Sequence, residues 1–323
     1  MQISETSILT INSVHASPLE SGVLKTLLYF DVFYYPLTLT EITDSCQQVH
    51  ATKNTVESVL SELILKKTVQ KQDDFYFVND DPSIIERRKK GNLRASKFFK
   101  KVRFFSRLIS WFPFVRGVCI SGSLSKGYME KDGDIDYFII TAPNRLWLCR
   151  TLLVLFKKVF LLNSRKYFCV NYFIDTEHLE IPDKNIFTAT ELTSAYPTYN
   201  HELYMQFMKH NLWFKDFYPN KTEKTNLNVL PEKKFLLKLF FEKIWLGKIG
   251  EKLDNWCFHR TLKYWKKKFK NFDETTFDLH LRSKKEVSKH HPRGFQTKTL
   301  IAYREKIKSF ESKFKIRLGN PNE

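Results

Sequence analysis

Between Val118 and Ile140 two short apolar runs, Val118-Cys119-Ile120 and Tyr137-Phe138-Ile139-Ile140, flank a turn, Ser121-Gly122-Ser123, and a pair of acids, Asp134 and Asp136. Apolar runs this short, bounded by turn residues, predict fully buried strands. From Val115 to Asp175 the order reads strand, turn, helix start, strand, long helix, strand, so the centre of the chain is expected to be a small mixed sheet within an α+β fold.

A glycine at the end of the first strand lets backbone approach a phosphate closely, and a helix start after it offers unpaired amides and the positive end of a dipole to an anion. Asp134 and Asp136, at i and i+2 on the way into the second strand, are expected to project from one face. Carboxylates so placed can share magnesium or manganese ions that also grip triphosphate oxygens, which lowers the charge barrier to in-line attack on phosphorus. The bland alternative is a strand-turn-strand whose carboxylates cap backbone amides.

The run from Ile120 to Tyr137 resembles the DNA polymerase β-like nucleotidyltransferases: a hydrophobic residue, Gly-Ser, a spacer covering residues 124–133 here, then Asp-hydrophobic-Asp-hydrophobic. The resemblance covers Val115 to Asp175, about a fifth of the chain. It implies a magnesium-dependent enzyme that moves a nucleoside monophosphate from a nucleoside triphosphate to an acceptor hydroxyl or phosphate. It also implies that Gly122 and Ser123 hold phosphates, with Lys126 as a further phosphate contact, and that Asp134 and Asp136 coordinate the metals.

The chain departs from the pattern at the expected third carboxylate, where Val170-Asn171-Tyr172 carries an amide. An amide cannot serve as a general base and is a weaker ligand for a hard cation. Asp175 lies four residues on, expected on the same face but about 13 Å along a strand, and Glu177 and Glu180 follow. Three readings stay open: two carboxylates with a base from elsewhere, Asp175 in that role through another register, or a site that binds nucleotide without turnover.

Residues 20–80 carry the pattern of a winged helix, matching the neighbours that such transferases often have. A first helix is expected from about Val23 to Phe33, ending before Pro36. A second begins at Thr38, where Thr38-Leu39-Thr40-Glu41 has the capping-box form. A third follows Thr52 with Val56, Val59, Leu60 and Leu63 at helical spacing, and two short strands surround Gln72-Asp73-Asp74. The outward face of the third helix, with Lys53, Asn54, Glu57, Ser61 and Glu62, is too mixed in charge for a helix that tracks phosphates. A packing module and a DNA-binding one both fit.

The boundaries expected are 1–82 for the winged-helix-like domain, 83–114 for a basic linking helix, 115–190 for the nucleotidyltransferase core and 191–323 for a helical C-terminal region. The linking stretch interleaves Lys97, Lys100, Lys101 and Arg103 with Phe98, Phe99, Phe104 and Phe105, which suits packing against the next domain, an anionic membrane surface or a nucleic-acid backbone. Glu202 to Phe214 and Pro231 to Lys270 read as helix, the latter with Lys233, Lys234, Lys238 and Lys243 solvated. His290-His291 reads as an exposed basic loop.

Lysine and arginine number 53 against 35 acids, a formal charge of +18 that attracts nucleotides, nucleic acid or anionic surfaces. The segment Leu146–Leu162 is interrupted by Arg150, Lys157 and Lys158 and reads as a buried helix, not a membrane span. Five isolated cysteines and a start without a basic, apolar leader are expected of a reduced, cytoplasmic protein. The competing functional class is a catalytically inactive nucleotide-sensing or DNA-binding protein.

Overall fold

The computed structural model describes residues 14–164, 166–224, 229–232 and 235–319. The fold is α+β with mixed sheets. The chain divides into two compact units: the described parts of Met1–Glu86, Lys215–Lys221 and Lys298–Glu323, and those of Arg87–Phe214 and Thr222–Thr297.

In the first unit, strand β1 (Val14–His15) precedes helix α1 (Pro18–Asp31), which starts cleanly because the Ser17 hydroxyl accepts from the Glu20 amide and Pro18 opens the first turn. After strand β2 (Leu37–Thr38), helix α2 (Leu39–Asp44) begins with the expected capping box between Thr38 and Glu41. Helix α3 (Lys53–Leu65) is capped by Thr52 and buries Val56, Leu60 and Leu63. Strands β3 (Gln70–Gln72) and β4 (Phe75–Phe77) form a hairpin whose turn places Asp73 at φ 53°, and β2 completes an antiparallel sheet in the order β2-β4-β3. Late residues close the unit. Strand Ile316–Arg317 pairs in parallel with β1, the Ser21 hydroxyl donates to the Leu318 carbonyl, and the buried Tyr303 hydroxyl meets Gln47.

The second unit takes most of helix α4 (Ser83–Ser110). Of the aromatic residues along it, Phe98, Phe99 and Phe105 pack against the core while Phe104 faces solvent. At Gly91 the helix packs tightly on the segment before β6: a Cβ there would lie 2.1 Å from the Tyr128 ring, and the Gly91 carbonyl accepts from the Met129 amide at 3.2 Å.

Strand β5 (Val115–Ser121) runs into the helical turn α5 (Gly122–Ser125) and lies antiparallel to strand β6 (Asp136–Thr141). Helix α6 (Leu146–Phe160) crosses over to strand β7 (Cys169–Asp175), parallel to β6. The N-terminal part of α6 is buried on every side, Leu146 to Arg150, but Leu155, Val159 and Phe160 towards its end are exposed, as is Leu162 just beyond it, so the stretch is only part-buried where a buried helix was expected. Among the described residues no helix is long and apolar enough to cross a membrane.

Helix α7 (Ile186–Ser194), strand β8 (Tyr196–Tyr199) and helix α8 (His201–His210) follow, with β8 antiparallel to β5. The stretch 231–270 forms two helices, α9 (Leu236–Ile244) and α10 (Gly247–Lys268), separated where Gly247 adopts φ 68°. Lys233 and Lys234 lie outside the described residues.

Helix α11 (Glu274–Leu281) leads to strands β9 (Ser283–Lys284) and β10 (Val287–Lys289), and β10 pairs antiparallel with β7. The six-stranded sheet therefore runs β8-β5-β6-β7-β10-β9. The region expected to be helical from residue 191 also supplies three of these strands. From Lys298, helix α12 (Phe295–Phe314) returns the chain to the first unit.

Candidate functional site

The antiparallel register of β5 with β6 sets Ser121 opposite Asp136, so the turn leaving one strand touches the acid entering the other. Gly122 is the point of contact. It has φ 68°, a conformation open to glycine at little steric cost, and a Cβ there would stand 2.6 Å from Asp136 Oδ2. Asp134 precedes β6, yet its carboxylate, that of Asp136 and the Cys169 thiol place ligand atoms within 4.8 Å of one another, a group that could hold a metal ion. Ser123 is exposed at the start of the same turn.

Cys169 joins the cluster because β6 and β7 are parallel with Asp136 opposite Cys169. The register then shifts: Tyr137 pairs with Val170 but Phe138 with Tyr172, leaving Asn171 as the additional residue of a bulge. Asn171 stays on the face of Asp136, donating from Nδ2 to its Oδ1 at 2.8 Å, and its own Oδ1 is buried without a hydrogen-bond partner.

The same bulge removes Asp175 from the site. Asp175 pairs with Thr141, five residues along β6 from Asp136, so two-residue alternation turns it to the opposite face of the sheet. Its carboxylate is buried there and accepts from the Glu177 amide at 3.0 Å, with the His178 ring at 2.8 Å. The expectation that Asp175 shares a face with Asn171 is corrected: it holds the turn after β7. Glu177 lies in that turn, and Glu180 pairs with Lys184.

One acid was missed in the sequence reading. Glu191, on α7, reaches the Gly-Ser turn, where its Oε2 accepts from the Gly122 amide at 3.2 Å and its Oε1 binds Lys126 Nζ at 2.7 Å. Lys126 also donates to the Gly122 carbonyl at 3.0 Å. The turn thus already presents an amide and an ammonium to a negatively charged oxygen pair. Glu191 sits sixty-nine residues from Gly122, and nothing in its local sequence marks it.

These carboxylates act on one another. Burial above all, then the charge of Asp134, with a smaller contribution from Glu191, pushes the Asp136 carboxyl up to about 7. Burial, joined by Asp136 and Asp134, pushes the Cys169 thiol far up, so it stays protonated there. The donors left for a cation in this group are two carboxylates, which suit a hard, oxygen-seeking divalent ion better than a thiolate-seeking one.

His290 and His291 do not form an exposed loop. The His290 amide donates to the Asn171 carbonyl at 2.9 Å, continuing the β7–β10 ladder, and its ring lies 4.8 Å from that of Trp265. His291 is half-buried, and desolvation with the nearby Lys289 charge lowers its imidazole to about 4, which keeps it neutral; Glu191 is among the charges it senses. No protein family, curated protein or solved structure matches the chain.

Proposed function

We propose that the chain is a nucleotidyltransferase of the polymerase β-like kind, which moves a nucleoside monophosphate from a nucleoside triphosphate to an acceptor hydroxyl or phosphate with the help of magnesium or manganese. The observation that carries this reading is the contact between Gly122 and Asp136. A side-chain-free turn, with an amide and Lys126 already turned to a carboxylate, stands against a cluster of acids able to hold a cation, and a metal-bound triphosphate needs both halves.

In this reading Asp134 and Asp136 hold the ion, with the Asn171 amide orienting Asp136. The Gly122 amide, Ser123 and Lys126 receive phosphate oxygens once Glu191 gives way. The bound ion would neutralise charge on the phosphoryl oxygens during in-line displacement. The first unit, with three helices followed by a hairpin, fits a winged helix; its α3 exposes Lys53 beside Glu57 and Glu62, a mixed face that favours packing over DNA binding.

A second reading, an inactive nucleotide-sensing protein, draws on Asn171 standing where a third carboxylate was expected and donating to Asp136. One titration separates the readings. Non-hydrolysable ATP, GTP, CTP and UTP analogues are titrated calorimetrically with and without magnesium, beside Asp134→Asn/Asp136→Asn. Metal-dependent binding lost in the double variant is expected, and metal-dependent release of pyrophosphate from the matching triphosphate then marks an enzyme. Binding without release favours the sensor, and no binding of any nucleotide overturns both.

A further inference from the structure

Helix α9 is inverted relative to an ordinary surface helix. Its protein-facing side carries two of its three charges: Lys238 is buried and donates to the Ser110 and Val115 carbonyls at 3.1 and 2.6 Å, while Glu242 pairs with Arg116 at 2.8 Å and accepts from the Phe114 amide at 2.6 Å. The opposite arc carries Leu236, Phe240 and Ile244 at four-residue spacing, 81%, 59% and 50% exposed, with Leu237 beside them. The apolar strip continues into α10 through Leu246 and Ile249, 63% and 71% exposed.

A contiguous exposed strip of large apolar side chains marks a surface made for a partner, and the charges around it select which one. Between residues 235 and 256 the exposed cations are Lys243, Lys248 and Lys252, whereas the only exposed acid among the described residues there is Glu251. A second copy of the chain would bring like-charged rims together. A nucleic acid would leave the leucines and Phe240 in water.

We propose that α9 and the first turns of α10 lie flat on an anionic lipid bilayer, with Leu236, Phe240, Ile244 and Ile249 entering the acyl boundary and the surrounding lysines meeting lipid phosphates. The geometry is interfacial: α9 has 9 residues, far fewer than a span requires. The proposal is independent of the nucleotide site: α9 is held at the start of β5 through Phe114, Val115 and Arg116, whereas Gly122 follows the end of that strand.

The test is sedimentation of the full chain with vesicles of phosphatidylcholine alone or mixed with phosphatidylglycerol, at low and high salt. The comparison is Leu236→Ser/Phe240→Ser/Ile244→Ser, whose changes fall on exposed positions and whose fold is checked by circular dichroism. Binding to the mixed vesicles, weakened by salt and at least about tenfold weaker in the triple variant, is expected. Absence of binding by the unaltered chain at low salt, or binding undiminished in the triple variant, overturns the proposal. So does a dimer, seen by light scattering, that the same substitutions dissociate, because a second copy would then be the occupant.

Discussion

Asp136 is the residue on which the site turns, and its environment makes a pH prediction. Its carboxyl is raised from 3.8 to about 7, chiefly by burial and then by Asp134, so the protonated form is favoured in the fold. The stability this lends is fully present below about pH 4 and drains away as pH climbs through 7. A divalent ion needs the ionised form, so its affinity should rise about tenfold per unit up to pH 7 and level off above it. Asp136→Asn should flatten that dependence and, at pH 8 with chelator, stabilise the chain by on the order of 1–3 kcal/mol; melts at pH 5 and pH 8 measure both, and a variant less stable at pH 8 would contradict the assignment.

Glu191 makes the opposite kind of contribution, holding the Gly122 amide and Lys126 that a phosphate would use. Glu191→Gln keeps an acceptor for the amide but removes the competing charge. Binding of inorganic triphosphate should tighten by up to about fivefold, the scale of a part-exposed ion pair, and the pH midpoint of ion binding should fall as Asp136 loses a charged neighbour. Calorimetry reads both, and weaker binding would mean that Glu191 assists the anion instead of standing in for it.

At the scale of elements, the strands, turns and caps fixed by local chemistry were the most legible in the sequence. The two apolar runs, the glycine between them, the capping box at Thr38 and the hairpin around Asp73 each depend on local chemistry, and each formed where the residues put it. What could not be read depends on pairing. The parallel pairing of β6 with β7 set Cys169 beside the acids, and the bulge at Asn171, a register event between the same strands, turned Asp175 away. The polar strand β10 exists because β7 offers it an edge, and its Val-Ser-Lys sequence carries no strand pattern of its own. Helix α4 supplies a packing prediction of the same kind. Gly91→Val would drive a branched side chain into the Tyr128 ring and should cost about 1–3 kcal/mol in denaturant melts. Much of that loss should be recovered in a Tyr128→Ala background, and a neutral Gly91→Val would show that α4 packs there loosely.

At the scale of the whole molecule, the first unit is assembled from distant parts of the chain. The bond from Ser21 to Leu318 spans 297 residues, and Lys306 pairs with Asp31. A chain cut after Thr297 keeps every strand of the six-stranded sheet but loses these partners of α1. It should retain magnesium-dependent nucleotide binding while its first unit becomes sensitive to trypsin; a protease-resistant first unit would mean that α1, α2, α3 and the hairpin stand alone. The parallel pairing of β1 with Ile316–Arg317 also imposes an order in time. At ribosomal rates of about 5–20 residues per second, the opening helices emerge roughly 15 s to 1 min before the strand that completes their unit. The sheet unit is fully synthesised first, and the beginning of the chain is the part that waits for a chaperone or for its own late-arriving segment.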